Sequence, residues 1–470
     1  MATESPTIPV PPTPPPPPPP MPQAVKLKTK RSIPLGIIFA IFGVAIIVGL
    51  GITTGLLSRF VPGLGSVTVT YWGLWESDSI IRPVLDEFEK THPGIKVNYQ
   101  YQSPQEYRER LRSNLDQNKG PDVFRIHNTW TPMFRSDLSP IPSSVYSVSD
   151  YEKIFYPVAR TDFKMNGQYY AVPLEIDGIA MFINDDLLNK AGISVPKNWD
   201  ELRDAALAMS VCASPTGGCE SGGKIIISGT ALGASQNVDH WEDILAVLMM
   251  QNNVNLVNPS KPDPKPAQDV FDFFTNFVSA YRIWDSNLPS STNSFAAGKV
   301  GIYFGPSWRV FDVQNLNPNL RFTVHPLPQL PTDPNRGEKP VTYASYWAEA
   351  VNKKSQNSAQ AWELIKYLST PDVMRKLYQQ AQSPLRSFGE PYARMDMSDE
   401  LKDTKNVNVF ISQASIAKSW YLASYSHDGK GINTKLSGLF AEVIAKTKTV
   451  SVLGNEINKI LSEYGFSSGQ

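Results

Sequence analysis

Indole rings and carboxylates recur together in this chain where strands hand over to helices. Trp72 and Trp75 flank one such turn, with Glu76 and Asp78 beside them. His127, Asn128 and Trp130 follow the next short strand, and Glu175 and Asp177 interrupt an apolar stretch. Further along, His240 and Trp241 open a helix, Trp308 follows a Gly-Pro turn, Tyr346 and Trp347 stand in an aromatic stretch, and Arg386 lies in the loop SPLRSFG. Aromatic faces pack against apolar C–H surfaces, while carboxylates, amides and guanidinium groups hydrogen-bond hydroxyls. The expected contact set is Trp75, Glu76, Asn128, Trp130, Asp177, His240, Trp241, Trp308, Tyr346 and Arg386. Trp199, Trp284 and Trp362 fall on helical patterns and are assigned to packing.

Binding without reaction is the expected chemistry. Glu76 and Asp177 have the residue type of a glycosidase pair, which needs two carboxyls roughly 5 to 9.5 Å apart, one held protonated. Nothing in the sequence marks either as that acid. The HExxH, GxSxG, SxxK and P-loop patterns are absent, so no catalytic residue, cofactor or metal site is expected. The two cysteines, Cys212 and Cys219, cannot form a four-ligand zinc site; flanking ASPTGG, they suit a local disulfide on a surface loop, with two free thiols as the alternative.

The sequence pattern alternates between strand and helix. Residues 66–71, SVTVTY, alternate as a strand does; 80–94, IIRPVLDEFEKTHPG, place Ile81, Val84, Leu85 and Phe88 at helical spacing and stop at His92-Pro93-Gly94; 95–101 alternate again. This βαβ unit, repeated through KGPDVFRIHNTW, predicts a doubly wound sheet whose ligand loops lie at the carboxyl ends of its strands. Residues 169–183 read as two strands separated by LEIDG, a crossing between lobes, and residues 343–351 read as a return crossing. A second α/β set fills the interval, and the stretch after residue 404 reads mainly helical.

Residues 33–57 form an uncharged apolar run long enough to span a hydrocarbon core of roughly 30 Å. Lys26, Lys28, Lys30 and Arg31 precede it and Arg59 follows, which places the N-terminus in the cytoplasm and the body outside. The leader of 32 residues exceeds that of a cleaved signal, so a retained single-pass anchor in the cell membrane is expected. Residues 1–32 carry the unbroken proline run 14–20 and read as a disordered, extended spacer or a ligand for a proline-reading module. Without its first 59 residues the chain has 39 Lys and Arg against 43 Asp and Glu, with no basic block, which argues against nucleic acid.

Five segments in order, VTYWGLWESDSIIRPVLDEFEKTHPGIKVNYQ, GPDVFRIHNTW, NGQYYAVPLEIDGIAMFINDDLLNKAGISVPKNWDEL, FAAGKVGIYFGPSW and WAEAVNKKSQNSAQAWELIKYLSTPDVMRKL, resemble family 1 extracellular solute-binding proteins, the maltose-binding-like receptors of sugar ABC transporters. The resemblance covers nearly all of residues 66–470. It implies an α/β, two-lobe periplasmic-binding-protein-like (type II) fold with hinge crossings. It divides the chain into an N-terminal lobe of 66–175 plus 347–392 and a C-terminal lobe of 176–346 plus 393–470. It also implies a carbohydrate ligand, an ABC permease as partner and a monomer. Asp177, seven residues before Asn184, matches a position where relatives often place a ligand-binding carboxylate. A same-fold receptor for a peptide, polyamine or metal complex is the alternative, and a glycan-acting enzyme a more distant one. The chain departs from the family in its retained helix and proline-rich leader.

Overall fold

The computed structural model describes residues 66–213, 218–331, 339–422 and 431–464. The expected membrane anchor at 33–57 and the proline-rich segment at 1–32 lie outside the described residues. Among the described residues no helix is long and apolar enough to cross a membrane.

Alternation builds the first sheet. In Val67–Gly73 the side chains of Val69 and Tyr71 turn inward, and in Ile95–Tyr101 those of Ile95, Val97 and Tyr99 do the same. The helix Asp78–Thr91 between them buries Ile81, Val84, Leu85 and Phe88 along one stripe and ends at His92, ahead of Pro93. Each such burial contributes about 1.5–3 kcal/mol. The strand order is Ile95–Tyr101, Val67–Gly73, Val123–His127, Trp347–Val351, Ala171–Pro173. The first three are parallel; Trp347–Val351 runs antiparallel to both of its neighbours. Helices Ser358–Leu368 and Pro371–Ala381 pack with Asp78–Thr91 beside this sheet.

A second five-stranded sheet has the order Phe322–His325, Ala180–Asn184, Val300–Gly305, Lys224–Thr230, Val211–Ala213. It too is mixed, since Val300–Gly305 is parallel to Lys224–Thr230 but antiparallel to Ala180–Asn184. In both sheets the strands that arrive from the other sheet enter antiparallel. Asp185–Ala191 and Trp199–Met209 pack on it, and Trp241–Gln251, Lys265–Ser279, Ile432–Ile444 and Leu453–Glu463 pack on one another in turn. Cys212 and Cys219 form a disulfide at the edge strand. The architecture is a two-lobe α/β fold.

The chain passes between the sheets where the two expected crossings fall. Residues 174–179 leave Pro173 for Ala180, and 344–346 return to Trp347. The passages lie against each other: Gly178 bridges Ala344, and the Ser345 amide donates to the Asp177 carbonyl at 3.0 Å. A third segment joins them, with the Ile176 amide donating to the Pro391 carbonyl at 2.9 Å. At Gly178 a Cβ would fall 1.9 Å from the Tyr343 carbonyl oxygen, so only glycine permits this approach.

Candidate ligand-binding cleft

Loops from both sheets converge on one cavity of about 370 Å³. From the first sheet come Trp75 in the turn after Val67–Gly73, Tyr101 at the end of its strand, His127 and Trp347. The second contributes Pro306 and Trp308, from the turn after Val300–Gly305, and His240 with Asp243. The crossings supply Glu175, Asp177 and Ser345, and the loop ahead of the third segment supplies Arg386 and Glu390. A cleft bounded by both lobes can sense their closure.

Its walls are aromatic. The Trp75 and Trp347 rings meet edge to face with centroids 5.7 Å apart, and Trp75 has φ +66°, a conformation that a bulky residue rarely adopts. Trp75 is 37% exposed, the state of a platform rather than a core residue. Opposite stands Trp308, with the Arg309 guanidinium 4.4 Å over its ring and His240 edge-on at 5.8 Å.

The polar groups differ in their commitments. Asp177 accepts from the Ser307 hydroxyl at 2.9 Å and from the Ser307 amide at 3.2 Å, tying the crossing to the second lobe's loop. Burial raises its pKa to about 7, with the Gly178 and Ser307 donors pulling the other way. Burial, then the neighbouring Glu390 carboxyl, pushes Glu175 well above the ordinary carboxylate range. Arg386 is ion-paired with Glu390 and donates to the Phe388 carbonyl at 3.2 Å. His240 takes the Arg309 Nε–H on its Nε2 at 3.2 Å, so its proton sits on Nδ1, facing Asp243 at 3.3 Å. Burial lowers the pKa of this imidazole.

Of the expected contact residues, Trp75, Asp177, His240, Trp308 and Arg386 line this cavity. The others stand elsewhere. Glu76 donates no side to it: its Oε2 lies 2.6 Å from Arg125 Nη1, and it lines only a smaller space of about 40 Å³ behind Trp75. Arg125 is held in turn by Glu349, its cross-strand partner. Asn128 and Tyr346 are buried and spend their polar groups on Asp162, at 2.9 and 2.8 Å. Trp130 is 1% exposed and packs behind Trp347, centroids 5.1 Å apart, so it supports the wall without lining it. Trp241 is buried in its apolar helix. Beyond the expected set, the cavity takes Tyr101, Asp243, Ser345 and Glu390. One of these could have been found from spacing, since Asp243 stands in the first turn of the helix that His240 opens.

A family model described as bacterial extracellular solute-binding protein matches residues 73–375. The chain belongs to that family. This solute-binding protein is 24% identical over 300 residues to a binding protein of Brucella abortus, covering 63% of this chain and 70% of the relative. It is 22% identical over 329 residues to the maltotriose-binding protein of Pyrococcus abyssi, covering 67% and 65%. Among solved structures, the sugar-binding protein MalE of Xanthomonas citri superposes with a TM-score of 0.64 at 19% identity, covering 85% of this chain and 97% of that one. The GacH receptor of Streptomyces glaucescens, solved unliganded and with acarbose, gives 0.63 at 20% identity, covering 85% and 98%. At such identities the structural likeness speaks for the fold. Family and neighbours alike are binding proteins rather than enzymes.

Proposed function

We propose that this solute-binding protein captures a carbohydrate between its lobes and delivers it to an ABC-type importer, held at the membrane by residues 33–57. The observation that carries the reading is a single cavity walled by Trp75, Trp347 and Trp308 and floored by Asp177 and Glu175. Rings suit the C–H faces of a pyranose, and the acids accept from its hydroxyls. Relatives named for maltotriose, diacetylchitobiose and multiple sugars support the ligand class. The lobes of this reading are 66–175 with 347–392, and 176–346 with 393–470. A ligand favours the closed form only by its extra affinity for it, so contacts on both lobes are required.

Calorimetric titration of the full-length, detergent-solubilised chain with mono- and oligosaccharides tests this. Saturable binding of at least one sugar, weakened about tenfold in Trp308→Ala, is expected. Absence of binding across the panel contradicts it.

A further inference from the structure

We propose, resting on the carbohydrate reading above, that the ligand is a sugar bearing a basic amino group whose ammonium lies between the carboxyls of Glu175 and Glu390. Glu175 is 7% exposed and lines both the main cavity and the smaller space behind Trp75. Among the described residues its carboxyl hydrogen-bonds to no amide, hydroxyl or guanidinium; the group it meets is the Glu390 carboxyl. A buried carboxyl of this kind, open to a cavity and with only another carboxyl beside it, can take a donor from the ligand.

The nearby cations are already engaged. Arg125 sits between Glu76 and Glu349, and Arg386 is ion-paired with Glu390. His240 accepts from Arg309, which holds the imidazole neutral. Around the pair the lining therefore carries Glu175 and Glu390 against Arg386, one more acid than base, at a site walled by indoles. Two facing carboxyls resist ionising together. A neutral hydroxyl donates one hydrogen bond and leaves that conflict standing. An ammonium supplies a positive charge and three donors, so both carboxyls ionise and each bond is charge-assisted. A uronate would add a further negative charge to the same wall. Trp75, shared by both spaces, sets the sugar ring beside the pair.

The test titrates the full-length chain at neutral pH with glucosamine, glucose and glucuronate, as monomers and as 1,4-linked trimers of either anomer. The expected order is amino over neutral by about tenfold, with the uronate weakest. In Glu175→Gln and in Glu390→Gln the amino preference should collapse to the level of the neutral sugar, and a melting temperature close to that of the unchanged chain shows that the variants fold. Equal or tighter binding of the neutral sugar, or a preference that survives both variants, overturns this inference alone. Failure of every sugar, or binding of spermidine without any amino sugar, overturns it together with the carbohydrate reading.

Discussion

Two tryptophans of this chain look alike in sequence and behave oppositely in the fold. Trp75 is 37% exposed on the cleft wall, whereas Trp130 is 1% exposed behind it. Trp75→Ala and Trp308→Ala should each weaken sugar binding by about tenfold, since an aromatic contact contributes roughly 0.5–1.5 kcal/mol beyond its area, with little change in melting temperature. Trp130→Ala should instead cost about 3–5 kcal/mol of stability in a urea titration. Residue type and loop position were enough to bring Trp75, Asp177, His240, Trp308 and Arg386 into the expected set. Side-chain direction was not legible: Tyr346 and Trp347 are adjacent, yet one turns to Asp162 in the interior and the other to the cavity. Glu242 provides a pH signature. It is 5% exposed, and burial raises its pKa to about 8. The unfolded carboxyl ionises near ~4.3, so between the two values the folded state holds a proton that the unfolded state lacks. Stability should fall as pH rises from about 4 to about 8 and level off beyond, and Glu242→Gln should flatten that slope in melting curves taken across the range.

At the scale of elements, the crossings decide the geometry of the cleft. The LEIDG interruption was readable because apolar strand patterns stop on each side of it, and residues 171–173 and 180–184 do belong to different sheets. The mixed direction of the strands was not readable, because a period of two residues says nothing about which neighbour a strand meets. Gly178 is the position where this element is least tolerant. Gly178→Ala would press a methyl group against the Tyr343 carbonyl and part the two crossings. We expect it to lower stability by about 1–3 kcal/mol in chemical denaturation and to weaken sugar binding as well, because Asp177 and Ser345 would move with the backbone. A loss of stability with affinity unchanged would show that the crossings can separate without disturbing the site.

For the whole molecule, the proposed capture makes closure and ligand contact one event. Trp75 and Trp347 belong to one lobe and Trp308 to the other, while Asp177 in the crossing holds Ser307 beside Trp308. Segment order alone suggested two lobes around a cleft, and the depth and charge of that cleft emerged only from the packing, since Glu175 and Glu390 are 215 positions apart in the chain. Hydrogen exchange of the full-length chain with and without a saturating sugar tests the central claim most directly. The account predicts slowed exchange at the turns around Trp75 and Trp308 together, and at residues 174–179 and 344–346 between them. Protection confined to one lobe, or found only away from these segments, would contradict capture between the lobes.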